Sequence, residues 1–235
     1  MITLFSQEDS GMAKLIQNEQ LRNRNRIFED RKDGGQQLAV MLRDIVSLDA
    51  MVLAIPSGGI PVGLEIARKL LLDFDLLLVR KVQIPWNTES GFGAVNMDSD
   101  IIINEHLLSI LNLSNDQVEH QVKKTMASID ERNRKFRHNK PFPDIADRPV
   151  IVVDDGLASG YTMRAAIAFL MKRNPGPITL AVPTGSADTV KMLLCKVDTL
   201  CCLNIREAYP YAVASAYRNW QDLDDGDVLA LLGEK

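Results

Sequence analysis

The stretch from Val150 to Thr162, VIVVDDGLASGYT, constrains this chain more than any other. Four apolar, mostly β-branched residues, Val150 to Val153, suit a strand buried on both faces of a parallel sheet. Two adjacent carboxylates, Asp154 and Asp155, stand where that strand ends. A loop of small residues follows, Gly156, Leu157, Ala158, Ser159 and Gly160, and Tyr161 then opens a helical pattern through Ile167 and Leu170. A small-residue loop running into a helix N-terminus offers backbone N–H groups to an anion. The hydroxyls of Ser159 and Thr162 add hydrogen bonds to phosphate oxygens, and paired carboxylates accept bonds from vicinal sugar hydroxyls. The stretch predicts a sugar-phosphate site at a strand end.

Competing motifs fail on their spacing. The chain has no G-x-x-x-x-G-K-[ST] loop, and Gly91, Gly93 and Asn96 lack the third glycine of a dinucleotide fingerprint. Gly156 lies three residues before Ser159, so the G-x-S-x-G elbow of a hydrolase is absent. A phosphatase using Asp154 as nucleophile is disfavoured because no D-x-D follows from it.

The same arrangement recurs earlier. Met51 to Ile55 reads as a buried strand that breaks at Pro56 into Ser57, Gly58 and Gly59, after which Pro61 starts a helix carrying Val62, Ile66 and Leu70. Leu76 to Val79, Ile178 to Val182 and Val197 to Leu203 supply further apolar strands, with helical runs between them. The reading is α/β: a Rossmann-like open parallel sheet of about five strands flanked by helices, with right-handed crossovers. The 235 residues, 46% of them hydrophobic, support one core and a single domain over 1–235. Val82 to Asn104 reads as a long loop or irregular hairpin projecting as a lid over 82–104, and 205–235 as a C-terminal appendage. Ser114 and Gln117 form a capping-box pattern ahead of a long amphipathic helix through Arg137.

A net charge of −4 argues against general nucleic-acid affinity. Cys195, Cys201 and Cys202 have no metal-ligand spacing and read as buried reduced thiols. No apolar run reaches membrane-spanning length and no basic leader opens the chain, so a cytoplasmic protein is expected. His120 and His138 read as solvated, as do Arg22, Arg24 and Arg26. After the last strand Tyr209, Tyr211 and Tyr217 gather near Arg206, Arg218 and Trp220 as acceptor-pocket candidates.

Strand, acid pair, small loop, hydroxyl, Gly, any residue, Thr: in that order, 150–162 resembles the signature of the type I phosphoribosyltransferases. The pieces FEDRKDGGQQLA, RKVQIPWNTESGFGAV and YAVASAYRNW resemble a poorly characterised bacterial and archaeal branch of that family. The resemblance implies the type I phosphoribosyltransferase fold with a protruding hood. It implies transfer of ribosyl 5-phosphate from phosphoribosyl pyrophosphate to an unidentified, nucleobase-like acceptor, within nucleotide metabolism. It further implies Mg2+ near Asp154 and Asp155, and a homodimer. By the same resemblance Asp154 and Asp155 act on the ribose, while Gly156, Leu157, Ala158, Ser159, Gly160, Tyr161 and Thr162 hold the 5-phosphate. Ser57, Gly58, Gly59, Arg80 and Lys81 take the pyrophosphate, and the lid excludes water. Two positions depart from the pattern: Ser57 stands where the branch often has a basic residue, and Ala158 where many purine-using relatives have an acid, the usual candidate base. They keep a second reading open, a regulator that binds phosphoribosyl pyrophosphate without transfer.

Overall fold

The computed structural model describes residues 3–4 and 13–233. In chain order the elements are β1 (Thr3–Leu4), β2 (Lys14–Gln17), α1 (Arg31–Leu42), β3 (Met51–Ala54), α2 (Gly59–Leu70) and β4 (Asp73–Leu76). There follow β5 (Arg80–Ile84), β6 (Asn87–Val95), β7 (Ile101–Ile103), α3 (Glu105–Leu111) and α4 (Asn115–Arg137). The last are β8 (Val150–Val153), α5 (Tyr161–Met171), β9 (Ile178–Ser186), α6 (Ala187–Leu194), β10 (Thr199–Arg206) and α7 (Asp225–Gly233). The described chain divides into two compact units. One takes the residues up to Leu76, Pro143–Ala158 and those from Asn174 onward; the other takes Leu77–Phe142 and Ser159–Arg173.

The first unit is built on a seven-stranded sheet in the order β1-β2-β10-β9-β8-β3-β4. Six strands are parallel and β1 alone is antiparallel to its neighbour. Ile16, Cys201, Ala181, Val153 and Ala54 lie in register across it, one residue per strand. Apolar residues of α1 (Leu38, Ala39, Leu42) and α2 (Val62, Ile66, Ala67) join Ile16, Ala181, Val153 and Cys201 in one buried core. All four residues of β8 are at most 1% exposed, which explains the unbroken apolar run. Parallel strands present their carboxyl ends along one edge, and there β3 and β8 pass into Ser57–Gly59 and Asp154–Gly156.

Two strands differ from the sequence reading. The sixth parallel strand, β2, is a four-residue strand between β1 and β10 with one fully buried side chain, too little pattern to stand out. β4 pairs through Asp73–Leu76 and not through the more apolar Leu76–Val79 that follows. Leu77 to Val79 are buried, so hydrophobicity marked the interior correctly but not the ladder.

The second unit holds a three-stranded antiparallel sheet, β5-β6-β7, with α4 and α5 packed on it. Val82, Phe92, Ala94 and Val95 are fully buried, so much of the expected 82–104 lid is ordered sheet with a core of its own. The β5–β6 pairing shifts register between Val82 and Ile84, and Trp86, at the turn, is 65% exposed. The capping box at α4 forms as expected: Gln117 N–H donates to Ser114 Oγ and Ser114 N–H to Gln117 Oε1.

Cys201 and Cys202 are buried and burial pushes each thiol up to about 12, but Cys195 is exposed at the end of α6, contrary to the expectation of three buried thiols. Among the described residues no helix is long and apolar enough to cross a membrane.

Candidate active site

The carboxylate pair sits where β8 stops. Asp155 N–H donates back to Asp154 Oδ1 at 2.8 Å, a local bond that closes the strand end. Asp155 is then tied on two sides within the first unit. Arg31 Nε donates to its Oδ2 at 2.8 Å, and Tyr217 Oη donates to its backbone carbonyl at 2.6 Å. Burial raises the carboxyl of Asp154 well above its ordinary value, and the neighbouring charge of Asp155 adds to that. Burial also raises Asp155, but Arg31 opposes the shift with its charge and its hydrogen bond. The pair is therefore asymmetric: Asp155 is ion-paired to Arg31, while Asp154 accepts from a backbone amide and meets Arg31 through its charge alone.

Arg31 is the functional residue that the sequence reading missed. It is 8% exposed, its Nη1 donates to Gln221 O at 2.8 Å, and its guanidinium lies 3.8 Å from the ring centroid of Trp220. Trp220 leans on Tyr217 at 5.3 Å, and Tyr217 on Phe28 at 5.6 Å. Of the C-terminal aromatics expected as acceptor-pocket candidates, Tyr217 and Trp220 brace the carboxylate pair, Tyr211 bonds to Thr184 Oγ1 at 3.4 Å and Tyr209 is 96% exposed. Arg31 is the first residue of α1, where the helix dipole disfavours a cation, and the carboxylate of Asp155 offsets that. A cavity of about 660 Å³ opens beside Arg31, Trp220 and Gln221, but neither Asp154 nor Asp155 lines it.

The glycine loop of the first unit packs directly onto the pair. A Cβ on Gly58 would fall 1.9 Å from Asp155 Oδ2, so this position admits no side chain. Gly59 N–H donates to Ile55 O and Ile60 N–H to Ser57 O, which turns the loop into α2, and the Pro56–Ser57 peptide is cis. Ser57, Gly58, Gly59, Asp154 and Asp155 are thus brought together as the two strand-end loops require.

The loop expected to hold a phosphate runs from the first unit, through Ala158, into the second, from Ser159. Gly160 has φ 77°, the left-handed region that favours glycine, and Arg164 N–H donates to its carbonyl in the first turn of α5. Tyr161 and Thr162 open that helix, where N–H groups lack intrahelical partners. Leu157 does not belong to the cradle. Its side chain is 2% exposed, its N–H donates to Thr184 O and its carbonyl accepts from Ser186 N–H, so it stitches the loop to β9. Ala158 is likewise anchored through its carbonyl, which accepts from the hydroxyls of Thr189 and Ser186.

Arg80 and Lys81 do not form the cationic pair expected at a strand end. They begin β5 of the second unit, and successive residues of a strand face opposite sides. Arg80 Nη1 donates to Ser128 Oγ of α4 at 2.8 Å, while Lys81 lies over Gly91, where a Cβ would meet its Cγ at 2.1 Å.

No cluster of three or more His, Cys, Asp or Glu suited to a metal occurs among the described residues. Two hard carboxylate donors side by side nevertheless fit Mg2+ in its usual mode, in which one or two carboxylates share the ion with substrate phosphates.

A family model for the phosphoribosyl transferase domain matches residues 28–205. Two Mycobacterium tuberculosis proteins, whose names assign them provisionally to the phosphoribosyl transferases, are each 31% identical over 207 residues. That match covers 88% of this chain and 46% of theirs, so the chain spans about half the length of these relatives. Among solved structures, the protein TT1426 from Thermus thermophilus superimposes with a TM-score of 0.70 at 30% identity, covering 88% of this chain and 98% of that one. The Aquifex aeolicus protein AQ2163 shares the fold at a TM-score of 0.50 and 13% identity, covering 86% and 85%. The chain belongs to the phosphoribosyl transferase domain family, and its α/β architecture is that of the family.

Proposed function

We propose that this protein transfers a 5-phosphoribosyl group from phosphoribosyl pyrophosphate to a small-molecule acceptor and releases pyrophosphate. One observation carries the reading: two adjacent carboxylates at the end of β8 are in direct contact with a second strand-end glycine loop that has no room for a side chain. An acid pair against a backbone-lined anion loop is what a pentose joined to a diphosphate asks for.

In the reaction the bond from the anomeric carbon to the diphosphate oxygen breaks, its electron pair leaves with pyrophosphate, and an acceptor lone pair forms the new bond. Positive charge grows on the sugar and negative charge on the leaving group. Asp154 and Asp155 accept hydrogen bonds from the ribose hydroxyls and favour the developing cation. Arg31 and Tyr217 keep Asp155 in place while they do so. The amides of Ser57, Gly58 and Gly59 hold the pyrophosphate. The amides of Gly160 to Thr162, with the Ser159 and Thr162 hydroxyls, hold the 5-phosphate. Asp154 and Asp155 would hold Mg2+, which when bound would supply charge neutralisation for the leaving group.

Ala158 offers no base, which favours the regulator as the one alternative worth separating. Pyrophosphate release from phosphoribosyl pyrophosphate, followed with a coupled assay across a panel of nucleophiles, distinguishes the two. A transferase gives at least slow release that an acceptor accelerates; a regulator gives tight binding and no release with any acceptor.

A further inference from the structure

The cavity of about 660 Å³ beside Arg31 lies within the first unit, and the proposed reaction does not use it. Its volume is that of a small-molecule site. Part of its lining is apolar, with Trp220, Leu223 and Leu231, and part is cationic, with Arg31, Lys32 and Arg218. Lys32 is exposed, and its ammonium has no ion-pair or hydrogen-bond partner among the described residues. Arg218 meets Glu29 at 3.3 Å in a pair more than half exposed on both sides. Arg31 donates from Nε to Asp155 and from Nη1 to Gln221 O, which leaves its Nη2 without a partner in the described chain. The two acids of the lining are already engaged: Asp30 accepts from Asp33 N–H at 2.9 Å, and Asp227 from Asp224 N–H at 3.0 Å.

Spare cationic donors beside apolar side chains select a ligand with a flat apolar body and one negative charge. The body covers Trp220, Leu223 and Leu231, and the charge meets Lys32, Arg218 and the uncommitted donors of Arg31. The N-terminal turn of α1, where the helix dipole is positive, lies along the same cavity and adds in the same direction. Arg31 belongs to two places at once: it lines the cavity, and it donates to Asp155 Oδ2 at 2.8 Å. An anion in the cavity therefore competes with Asp155 for the charge of one guanidinium. We propose that this cavity is an effector site for a flat organic carboxylate, and that its occupant loosens the hold of Arg31 on Asp155 and so weakens binding of phosphoribosyl pyrophosphate. The binding site stands on the cavity itself; the effector role rests on the transferase reading above.

The test uses the full chain and two probes of equal shape, 2-naphthoate and 2-naphthamide, titrated by calorimetry at low salt with and without phosphoribosyl pyrophosphate. The wild type binds naphthoate about tenfold more tightly than naphthamide, the scale of one hydrogen bond to a charged group. Lys32→Gln cuts that preference by roughly threefold, the scale of one exposed charge contact. Ala230→Trp, which fills the cavity from an exposed position of α7, abolishes binding of both probes. If Ala230→Trp fails to fold, the indole N–H resonances of the wild type decide: naphthoate must shift that of Trp220 and leave that of Trp86, in the second unit, unmoved. Naphthoate and phosphoribosyl pyrophosphate then weaken one another by the same factor, about fivefold or more. No carboxylate preference, binding that survives Ala230→Trp, or an unmoved Trp220 resonance overturns the site, and independent binding of the two ligands overturns the effector role. If the wild type binds no phosphoribosyl pyrophosphate, the effector role falls with the transferase reading, while the Trp220 resonance still decides the cavity.

Discussion

Two buried arginines of one sheet unit meet opposite fates. Arg31 is satisfied within the chain: a carboxylate on Nε, a carbonyl on Nη1 and an indole under its face. Arg206, equally buried, touches only neutral oxygens and leaves Nε unmatched. The first arrangement fixes a part of the site in advance, and the second holds a strand end to neighbouring loops through neutral oxygens.

Substitution should expose that contrast, and the largest effect falls on Arg31. Arg31→Ala strands the buried charge of Asp155 and should cost roughly 3–5 kcal/mol of stability, read from the shift in urea midpoint. A loss below about 1 kcal/mol would mean that the ion pair contributes little beyond its geometry. Next comes Gly58→Ala, whose methyl would collide with Asp155 Oδ2; a loss of about 1–3 kcal/mol is expected from overpacking, together with loss of phosphoribosyl pyrophosphate binding. Unchanged binding would show that the loop can retreat without consequence.

Asp154→Asn should act in the other direction on stability. Because burial and Asp155 raise its folded value above the unfolded one, the native state holds this proton more tightly than the unfolded state does. Stability contributed by the protonated form is therefore full below the unfolded value and declines as pH rises toward the folded one. Asparagine removes that decline, so the free variant should be more stable at neutral pH by about 1 kcal/mol, the usual scale for relieving a functional conflict, while ligand binding falls. Denaturant melts from acidic to neutral pH check this; an unchanged pH slope would contradict it. Smallest is Arg206→Gln, expected within about 1 kcal/mol of the wild type because no ion pair is broken. A loss as large as that of Arg31→Ala would erase the distinction between the two arginines.

The strand ends were legible because buried parallel strands are written as short apolar runs, and Val150–Val153 and Met51–Ala54 occur where that pattern puts them. The glycine loop after β3 was legible as a second strand-end loop, but its close approach to Asp155 was not. β2 was not, because a strand of four residues with one buried side chain has no period to detect. Nor was the division at Leu76, since the 80–103 strands carry the same apolar residues whether they pair with the main sheet or with one another. Arg31 was hidden for a different reason: its partner lies 124 residues away, and local spacing says nothing about pairs assembled by the fold. The loss of Leu157 from the phosphate loop has the same origin, its amide being claimed by Thr184 on a neighbouring strand.

The central claim is that Asp154 and Asp155 form a ribose site for phosphoribosyl pyrophosphate, and titration calorimetry with and without Mg2+ meets it most directly. The account predicts magnesium-dependent binding by the wild type that the folded Asp154→Asn, Asp155→Asn double variant loses. Equal binding by both proteins, or none by the wild type, would contradict it.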